Sequence, residues 1–269
     1  MKYVVLLLVL VGGEPSRAHA FFLNEPAIVS APPGTVDIWL LGSTVPVWAA
    51  EGLLVSSHTW PTDCVWCGEF EPDTAVRDAI LDPDTKNTWQ HLSDYGLWPL
   101  AGAVGVATVW ISVKQQAAVP LLPISEGLIM AGTINALTKA LTARPRPYTL
   151  TFPAGTRLSP SDLASFTSGH TSFAFSLATT FVLTGDALGW SAWYTAPPGF
   201  AVASLVGYAR LAADKHWLTD VVGAAATGVG GVFLAWWLRQ PDQEPETPRT
   251  VMLPKLSPDE VGVQLIRTF

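Results

Sequence analysis

Charged side chains are scarce in this chain. They make up 14% of its 269 residues, whereas hydrophobic residues make up 49%, and the mean hydropathy is +0.32. Soluble domains carry about 25% charged residues. Basic residues are also fewer than acidic ones, 15 against 22, and this balance argues against nucleic acid as a partner. The shortage of charge, together with 12 tryptophans, indicates contact with lipid.

Cysteine is almost absent as well. The two cysteines, Cys64 and Cys67, stand in the short motif CVWC. A thioredoxin-like redox site needs a βαβ context, which the sequence does not offer. A zinc site needs two further ligands, for which His58 and His91 are candidates, but no spacing fixes their geometry. A structural disulfide or a pair of idle thiols is the favoured interpretation, and no metal site is expected.

The N-terminal segment resembles a secretory signal over residues 1–20. Lys2 supplies the positive charge, residues 3–11 are apolar, and Ala18-His19-Ala20 has the pattern of a cleavage site. The apolar part is short for a membrane span. An uncleaved anchor is the alternative.

Long apolar runs dominate the rest of the chain and predict an all-α, multi-span membrane bundle of about five to six helices. The sixth candidate, residues 38–50, is short for a span. Buried helices of a soluble all-α protein are the alternative, and no convincing strand pattern is visible. The five longer runs cover residues 96–113, 118–138, 171–185, 187–209 and 221–238.

The predicted domain organisation has three parts after the signal segment. Residues 21–94 form an exported segment with short helices and the CVWC motif, and residues 95–240 form the bundle. Residues 241–269 are rich in proline and polar groups and are expected to be a tail.

Three polar stretches interrupt the apolar pattern. They are KALTARPRP at 139–147, TSGHTS at 167–172 and ARLAADKHWLTD at 209–220. Each lies at the end of a predicted span, and counting the spans places all three on the same membrane face. We therefore expect them to converge in the folded protein.

Together these stretches contain the groups that phosphoryl transfer requires. Lys139, Arg146 and Arg210 supply fixed cations for a phosphoryl group. Ser168 and Gly169 begin a predicted helix, whose free N–H groups and dipole favour an anion. A single Lys or Arg at a helix end usually extends its charge to the membrane–water interface. The hypothesis of a phosphate site therefore depends on all of these groups occurring together.

Two histidines supply the proton chemistry. His170 and His216 exchange protons near neutral pH. Asp220 follows His216 by four residues, so on a helix it shares that face and accepts the Nδ1–H, which leaves Nε2 as a nucleophile.

The three stretches resemble the signature of the type 2 phosphatidic acid phosphatase family. Lys139 and Arg146-Pro147 match its K-x6-RP motif, Ser168-Gly169-His170 match most of PSGH, and Arg210, His216 and Asp220 match SR-x5-H-x3-D. The resemblance covers about residues 95–240 and implies the six-helix bundle shared with vanadium haloperoxidases and bacterial acid phosphatases. It also implies that His216 becomes phosphorylated, that His170 protonates the leaving group and that Lys139, Arg146, Ser168, Gly169 and Arg210 hold the phosphate.

Two positions depart from the family signature. Thr167 replaces a proline and is expected to serve as a helix cap. Ala209 replaces a serine and removes a hydroxyl group. Arg144 precedes a second RP pair without the six-residue spacing, and we expect it to support the site from behind or to contact a headgroup.

The sequence therefore predicts a metal-independent lipid phosphatase that needs no cofactor and is inhibited by vanadate. It would act on a phosphomonoester or diphosphate in a bacterial-type inner membrane, with its site facing the periplasm or the outside, and its partners are the lipid phosphate substrate and membrane lipids. The alternatives are a vanadate-dependent haloperoxidase, for which vanadate is the cofactor, and a non-catalytic membrane protein.

Overall fold

The computed structural model describes residues 61, 63–68, 70–115, 121–238, 249–257 and 260–268. The predicted signal segment, residues 1–20, and the possible span at 38–50 lie outside this range. The chain forms two compact units, Met1–Leu238 and Arg239–Phe269.

The described part of the first unit is helical. Two short helices come first, followed by five longer ones, and a short 3-10 helix at Pro147–Thr151 lies between the second and third of the long helices. The helices are α1 (Glu71–Ile80), α2 (Lys86–Tyr95), α3 (Trp98–Gln115), α4 (Leu121–Thr142), α5 (Gly169–Ala187), α6 (Ala192–Ala212) and α7 (Leu218–Leu238).

Helix α5 is the centre of the bundle and packs against α3, α4, α6 and α7. One face of α5 contributes Ala174, Leu177 and Ala178 to the apolar core. Another carries hydroxyl groups that bond to helix backbone, as when Ser176 Oγ donates to the carbonyl of Gly228 on α7 at 3.1 Å. Small side chains on this helix let its neighbours approach closely.

Helices α4 and α7 are in backbone contact. A Cβ placed on Gly231 would lie 2.7 Å from the backbone of Ala131, so the close approach requires glycine there. A Cβ on the adjacent Gly230 would meet nothing within 4 Å. Gly231 is therefore required for helix packing, whereas Gly230 faces open space.

The helical prediction is confirmed, and one helix starts upstream of a proline pair. A proline pair usually marks the start of a helix, yet α6 begins at Ala192 and contains Pro197 and Pro198. The prolines remove only two N–H donors near the helix start, where the carbonyls left free belong to the exposed Trp193 and Tyr194. Ser191 caps the earlier start by accepting from the N–H of Trp193.

The number of membrane spans stays a prediction. Among the described helices, the window Leu218–Ala235 is long and apolar enough to cross a membrane by length and composition.

The second unit corrects the expectation of a tail without strands. Strand β1 (Arg249–Ser257) pairs antiparallel with β2 (Glu260–Thr268), and Ser257 lies opposite Glu260. The apolar residues in these strands are interrupted by Pro254 and Gly262, both of which weaken a strand pattern in sequence.

Candidate active site

The three polar stretches meet at one end of the bundle, where α4 and α6 end and α5 and α7 begin. The Ser168 N–H donates to the carbonyl of Asp220 at 3.2 Å, joining the start of α5 to α7. Arg146, after α4, donates to the carbonyl of Lys215 at 3.5 Å. The convergence expected from counting spans is therefore present in the structure.

His216 is buried, and its ring is held by the backbone. Its Nδ1 lies 2.9 Å from the carbonyl oxygen of Ser165 and 3.5 Å from Oδ2 of Asp220. Because a carbonyl oxygen only accepts, Nδ1 carries the hydrogen, and the lone pair is on Nε2. The ring therefore presents the tautomer that nucleophilic attack requires.

The expected His216–Asp220 hydrogen bond was wrong in its acceptor. His216 precedes α7, which begins at Leu218, so the two residues do not share a helix face. Oδ2 of Asp220 instead accepts from Ser165 Oγ at 2.5 Å and from the Trp217 N–H at 2.9 Å. Asp220 thus holds the two segments that flank the imidazole.

Arg144 lies behind this carboxylate and is buried. Its Nη1 donates to Asp220 Oδ1 and its Nη2 donates to Asp73 Oδ2, both at 2.6 Å. The guanidinium also stacks on Trp66, 4.1 Å from the ring centroid. Of the two roles expected for Arg144, the structure supports the one behind the site and not the headgroup contact.

Helix α1 fastens the segment that carries His216. Asp73 accepts from the backbone N–H of Thr219 at 2.8 Å, which caps the start of α7. Arg77 makes a two-point ion pair with the buried Asp214, at 2.7 and 3.0 Å. Both contacts reach across more than 130 positions of sequence.

The start of α5 differs in detail from the prediction. Ser168, not Thr167, is the N-cap, and its Oγ accepts from the N–H of Thr171. Thr167 is buried and its Oγ1 accepts from Asn135 Nδ2 at 2.7 Å, so its hydroxyl anchors the loop to α4. Ser168 is also fully buried, so its hydroxyl group serves as a structural cap.

Gly169 is the point at which α4 meets the start of α5. A Cβ there would lie 3.3 Å from Nζ of Lys139 and 3.4 Å from Oδ1 of Asn135. Glycine therefore leaves room for the ammonium group beside the helix start. As the first helical residues, Gly169 and His170 have no intrahelical acceptor for their N–H groups, which suits an anion.

Arg146 is held in place by the loop before α5. Its Nε donates to the carbonyl of Ser161 at 2.9 Å, and Nη2 donates to that of Ala164 at 3.4 Å. These contacts fix the plane of the guanidinium between the 161–164 loop and Lys215.

Arg210 joins the site to α2. Its Nη1 donates to Ser93 Oγ and to Asp94 Oδ1, each at 2.9 Å. In the part of the chain that the structure describes, the buried Nε of Arg210 has no hydrogen-bond partner. A buried N–H without a partner is costly, and an anion in the site would satisfy it.

His170 stands opposite this pair and is half-exposed. Its Nε2 lies 3.3 Å from Asp94 Oδ1. Burial lowers the pKa of His170 to about 4, aided by Arg210, Lys139 and Arg146, while Asp94 acts in the opposite direction. Burial and then Arg146 and Arg210 hold the pKa of His216 well below its ordinary value. Both imidazoles are therefore neutral near pH 7 without a bound anion.

Sequence reasoning missed several residues that support the site. Ser165, Asn135, Asp73, Ser93 and Asp94 carry no spacing signal, because each meets its partner from a distant segment. The available hint was the excess of acidic residues in the segment before α3, since a buried cation at the site needs carboxylates. The acidic excess indicates that carboxylates from this segment pair with the cations, but it does not identify which carboxylates do so.

Cys64 and Cys67 form a disulfide in the structure. The turn that it closes places Trp66 against Phe166, with ring centroids 5.2 Å apart, as well as against Arg144. Trp66 and Trp217 also line a cavity of about 240 Å³ beside the 149–158 loop. Across the described ranges, no three His, Cys, Asp or Glu side chains are grouped as metal ligands.

Residues 120–244 match the model of the PAP2 superfamily, which confirms the resemblance over the segment that holds the three motifs. Among curated proteins, the chain is 39% identical over 84 residues to the lipid A 1-phosphatase of Porphyromonas gingivalis. The match covers 30% of this chain and 18% of that protein, so the chain aligns with under a fifth of the relative's length.

Two solved structures resemble the chain more loosely. The transmembrane PAP2 type phosphatidylglycerolphosphate phosphatase of Bacillus subtilis aligns at a TM-score of 0.47 with 19% identity, covering 74% of this chain and 93% of that one. The Aquifex aeolicus LpxE aligns at 0.41 with 21% identity, covering 61% and 92%.

Proposed function

We propose that this chain, whose residues 120–244 match the PAP2 superfamily, is a membrane phosphatase that hydrolyses a lipid phosphate through a phosphohistidine. The observation that carries the proposal is the geometry at His216. A backbone carbonyl fixes its tautomer, and the cations Lys139, Arg146 and Arg210 surround it. A neutral buried imidazole in a positive field is suited to attack a phosphorus atom.

In the first step, the lone pair on His216 Nε2 attacks the phosphorus and the bond from phosphorus to the leaving oxygen breaks. That oxygen takes a proton from His170, which is protonated only when the bound phosphate offsets the cations around it. The products are a phosphohistidine at His216, a neutral alcohol and a neutral His170.

In the second step, the neutral His170 removes a proton from water, whose oxygen attacks the same phosphorus. The bond from phosphorus to Nε2 breaks and returns the electron pair to His216. Inorganic phosphate leaves, and His170 carries a proton again for the next substrate.

The charge that builds up on the phosphoryl oxygens is met by protein groups. Lys139 and the N–H groups of Gly169 and His170 approach from α4 and α5, and Arg146 and Arg210 from the other side. Because this set neutralises the phosphate without a metal, we propose that the reaction needs no metal or other cofactor. Vanadate, which adopts the geometry of the transition state, would inhibit it.

The outer surface of the bundle supports a membrane location. On α3, Val106, Val109, Trp110 and Val113 are all more than half exposed, and they recur at the spacing of one helix face. A large exposed apolar face on a helix indicates contact with lipid or with another protein. Exposed aromatic rings at Trp98 and at Trp193 lie at opposite ends of the bundle, as interfacial rings do.

A lipid substrate is the best match for a site at the end of such a bundle. The curated relative is named for the 1-phosphate of lipid A, which supports a phosphate carried by a lipid. Selectivity for the headgroup and the acyl chains depends on surfaces beyond the phosphate.

The test compares two single variants on one chromogenic substrate, nitrophenyl phosphate, in EDTA. The wild type should release phosphate and be inhibited by vanadate. His216→Asn should show no turnover, because no phosphoenzyme can form. His170→Asn should release one burst of nitrophenolate, which leaves unaided, and then trap an acid-labile phosphate because water lacks its base. General acid–base help is worth about 10²–10⁴-fold, so the contrast is measurable.

Three results would contradict the proposal. A burst in His216→Asn without one in His170→Asn reverses the two roles. Activity lost in EDTA and restored by Mg²⁺ removes the metal-free mechanism. A wild type that releases no phosphate from nitrophenyl phosphate or lipid phosphates removes the phosphatase.

A further inference from the structure

Asp94 is an acidic residue inside a site built for an anion. It lies at the end of α2, upstream of the segment that matches the family model, and no sequence motif includes it. A carboxylate repels a phosphate, so its presence among the phosphate-binding cations requires an explanation. Its two contacts provide one.

The first contact sets the hydrogen positions on His170. Asp94 Oδ1 lies 3.3 Å from Nε2 of the ring. A lone pair on Nε2 would be repelled by the carboxylate at this distance, so the neutral ring carries its hydrogen on Nε2 and its lone pair on Nδ1. Nδ1 is then the atom that gives a proton to the leaving oxygen and later takes one from water.

The second contact sets the orientation of Arg210. Asp94 Oδ1 and Ser93 Oγ both accept from Nη1, which fixes one corner of the guanidinium on α2. The Nε edge is left without a partner among the described residues and points its donor away from that corner. A phosphoryl group bound along this edge would receive forked hydrogen bonds.

From these contacts we propose that Asp94 is a positioning residue for hydrolysis, which holds His170 with Nδ1 toward the substrate and Arg210 with its Nε edge toward the phosphate. This inference rests on the proposed phosphatase function and deepens it. It also makes the two histidines complementary, because His216 uses Nε2 and His170 uses Nδ1.

The proposal has a pH signature. Four charged groups face His170: Asp94 on α2, Arg210 on α6, Lys139 on α4 and Arg146 in the following loop. Of these, only Asp94 favours the imidazolium. Replacing Asp94 by neutral asparagine therefore lowers the pKa of His170. A smaller fraction of His170 is then protonated at any given pH.

The experiment measures Asp94→Asn on two substrates, a short-chain phosphatidic acid with a poor alkoxide leaving group and nitrophenyl phosphate with a good one. We expect kcat on the phosphatidic acid to fall about tenfold or more, with a smaller loss on nitrophenyl phosphate. The alkaline limb of the rate profile should move down by about one pH unit. KM should rise little, since the carboxylate that repels phosphate is gone.

Two further variants separate positioning from folding. Asp94→Glu keeps the charge and should retain the wild-type pH profile and the wild-type ratio between the two substrates. The control is Asp78→Asn on α1, an exposed carboxylate that should change neither quantity.

Equal losses on both substrates with an unmoved pH profile would make Asp94 a structural ion-pair partner and overturn the inference. Full activity in Asp94→Asn would do the same, as would loss of the substrate ratio in a folded Asp94→Glu. If the wild type hydrolyses neither substrate, the proposed phosphatase function is wrong, and the role of Asp94 that rests on it is wrong as well.

Discussion

Arg144 is a buried cation that lies behind the candidate active site. It is buried between Asp73 and Asp220 and stacked on Trp66, so its charge is neutralised inside the protein. Its planar fork is essential to this role, because one end bonds α1 and the other bonds α7. Lysine, a single point donor, cannot make both contacts.

Replacing Arg144 by lysine should therefore destabilise the fold while leaving the cations proposed to bind phosphate, Lys139, Arg146 and Arg210, unchanged. Breaking a buried ion pair costs about 3–5 kcal/mol, and retention of a positive charge places this variant near the lower end. Thermal unfolding in detergent measures the loss. Arg157→Lys, at an exposed loop position, is the matched control, and equal unfolding temperatures for both variants would contradict the role assigned to Arg144.

At the residue scale, spacing revealed the groups that we propose to face the phosphate, and not the residues that hold those groups in place. Lys139, Gly169, His170, Arg210 and His216 stand in short motifs, and the structure gathers them. Asp73 and Ser165 are ordinary residues in sequence, and their value depends on long-range contacts. The predicted acceptor for His216 Nδ1 was wrong for the same reason. The acceptor is a backbone carbonyl, and because every residue has one, the sequence does not show which of them lies beside the ring.

At the element scale, the close approach of α4 and α7 depends on a single missing methyl group. Gly231 lies against the backbone of Ala131, and Gly230 beside it faces open space. The same substitution at adjacent positions therefore tests packing with helix propensity held constant.

Gly231→Ala should destabilise the protein by about 1–3 kcal/mol, because the two helices must separate to admit the Cβ. Gly230→Ala should be neutral or stabilising by up to about 1 kcal/mol, the gain from helix propensity. Unfolding temperatures of the purified variants measure both. If the two variants unfold alike, the close approach of α4 and α7 does not contribute to stability.

Elements were predicted well where apolar runs were long. The five long runs correspond to α3–α7, because length and composition decide the helix. Helix starts were harder, since Ser191 caps α6 upstream of a proline pair that usually marks a beginning. The paired strands after residue 248 escaped notice because local polarity and Pro254 obscure their alternation.

At the scale of the whole molecule, the three motifs lie at one end of the bundle, so the active site has a sidedness. From the acidic segment before α3 and the signal-like start, we predict that this end faces the outside of the cytoplasm. Helix α6, with 21 residues, covers about 31 Å and separates this end from the loop at residues 188–191.

Single cysteines at the two ends should therefore react differently with a membrane-impermeant maleimide. Ala154→Cys, in the exposed loop after α4, should be labelled in intact spheroplasts, and Ala192→Cys, at the exposed start of α6, only after lysis. The native cysteines are paired and give no background. The reverse pattern would place the site in the cytoplasm, and equal labelling of both positions would contradict a spanning bundle.

The acceptor that orients His216 is a peptide carbonyl, and this has an evolutionary consequence. No codon change at position 165 deletes that oxygen, so the tautomer of the proposed nucleophile is insulated from most single mutations. The orienting acceptor proposed for His170 is a side chain, which one base change can remove. Under the proposed mechanism, drift should therefore impair the leaving-group step at His170 sooner than the phosphorylation of His216.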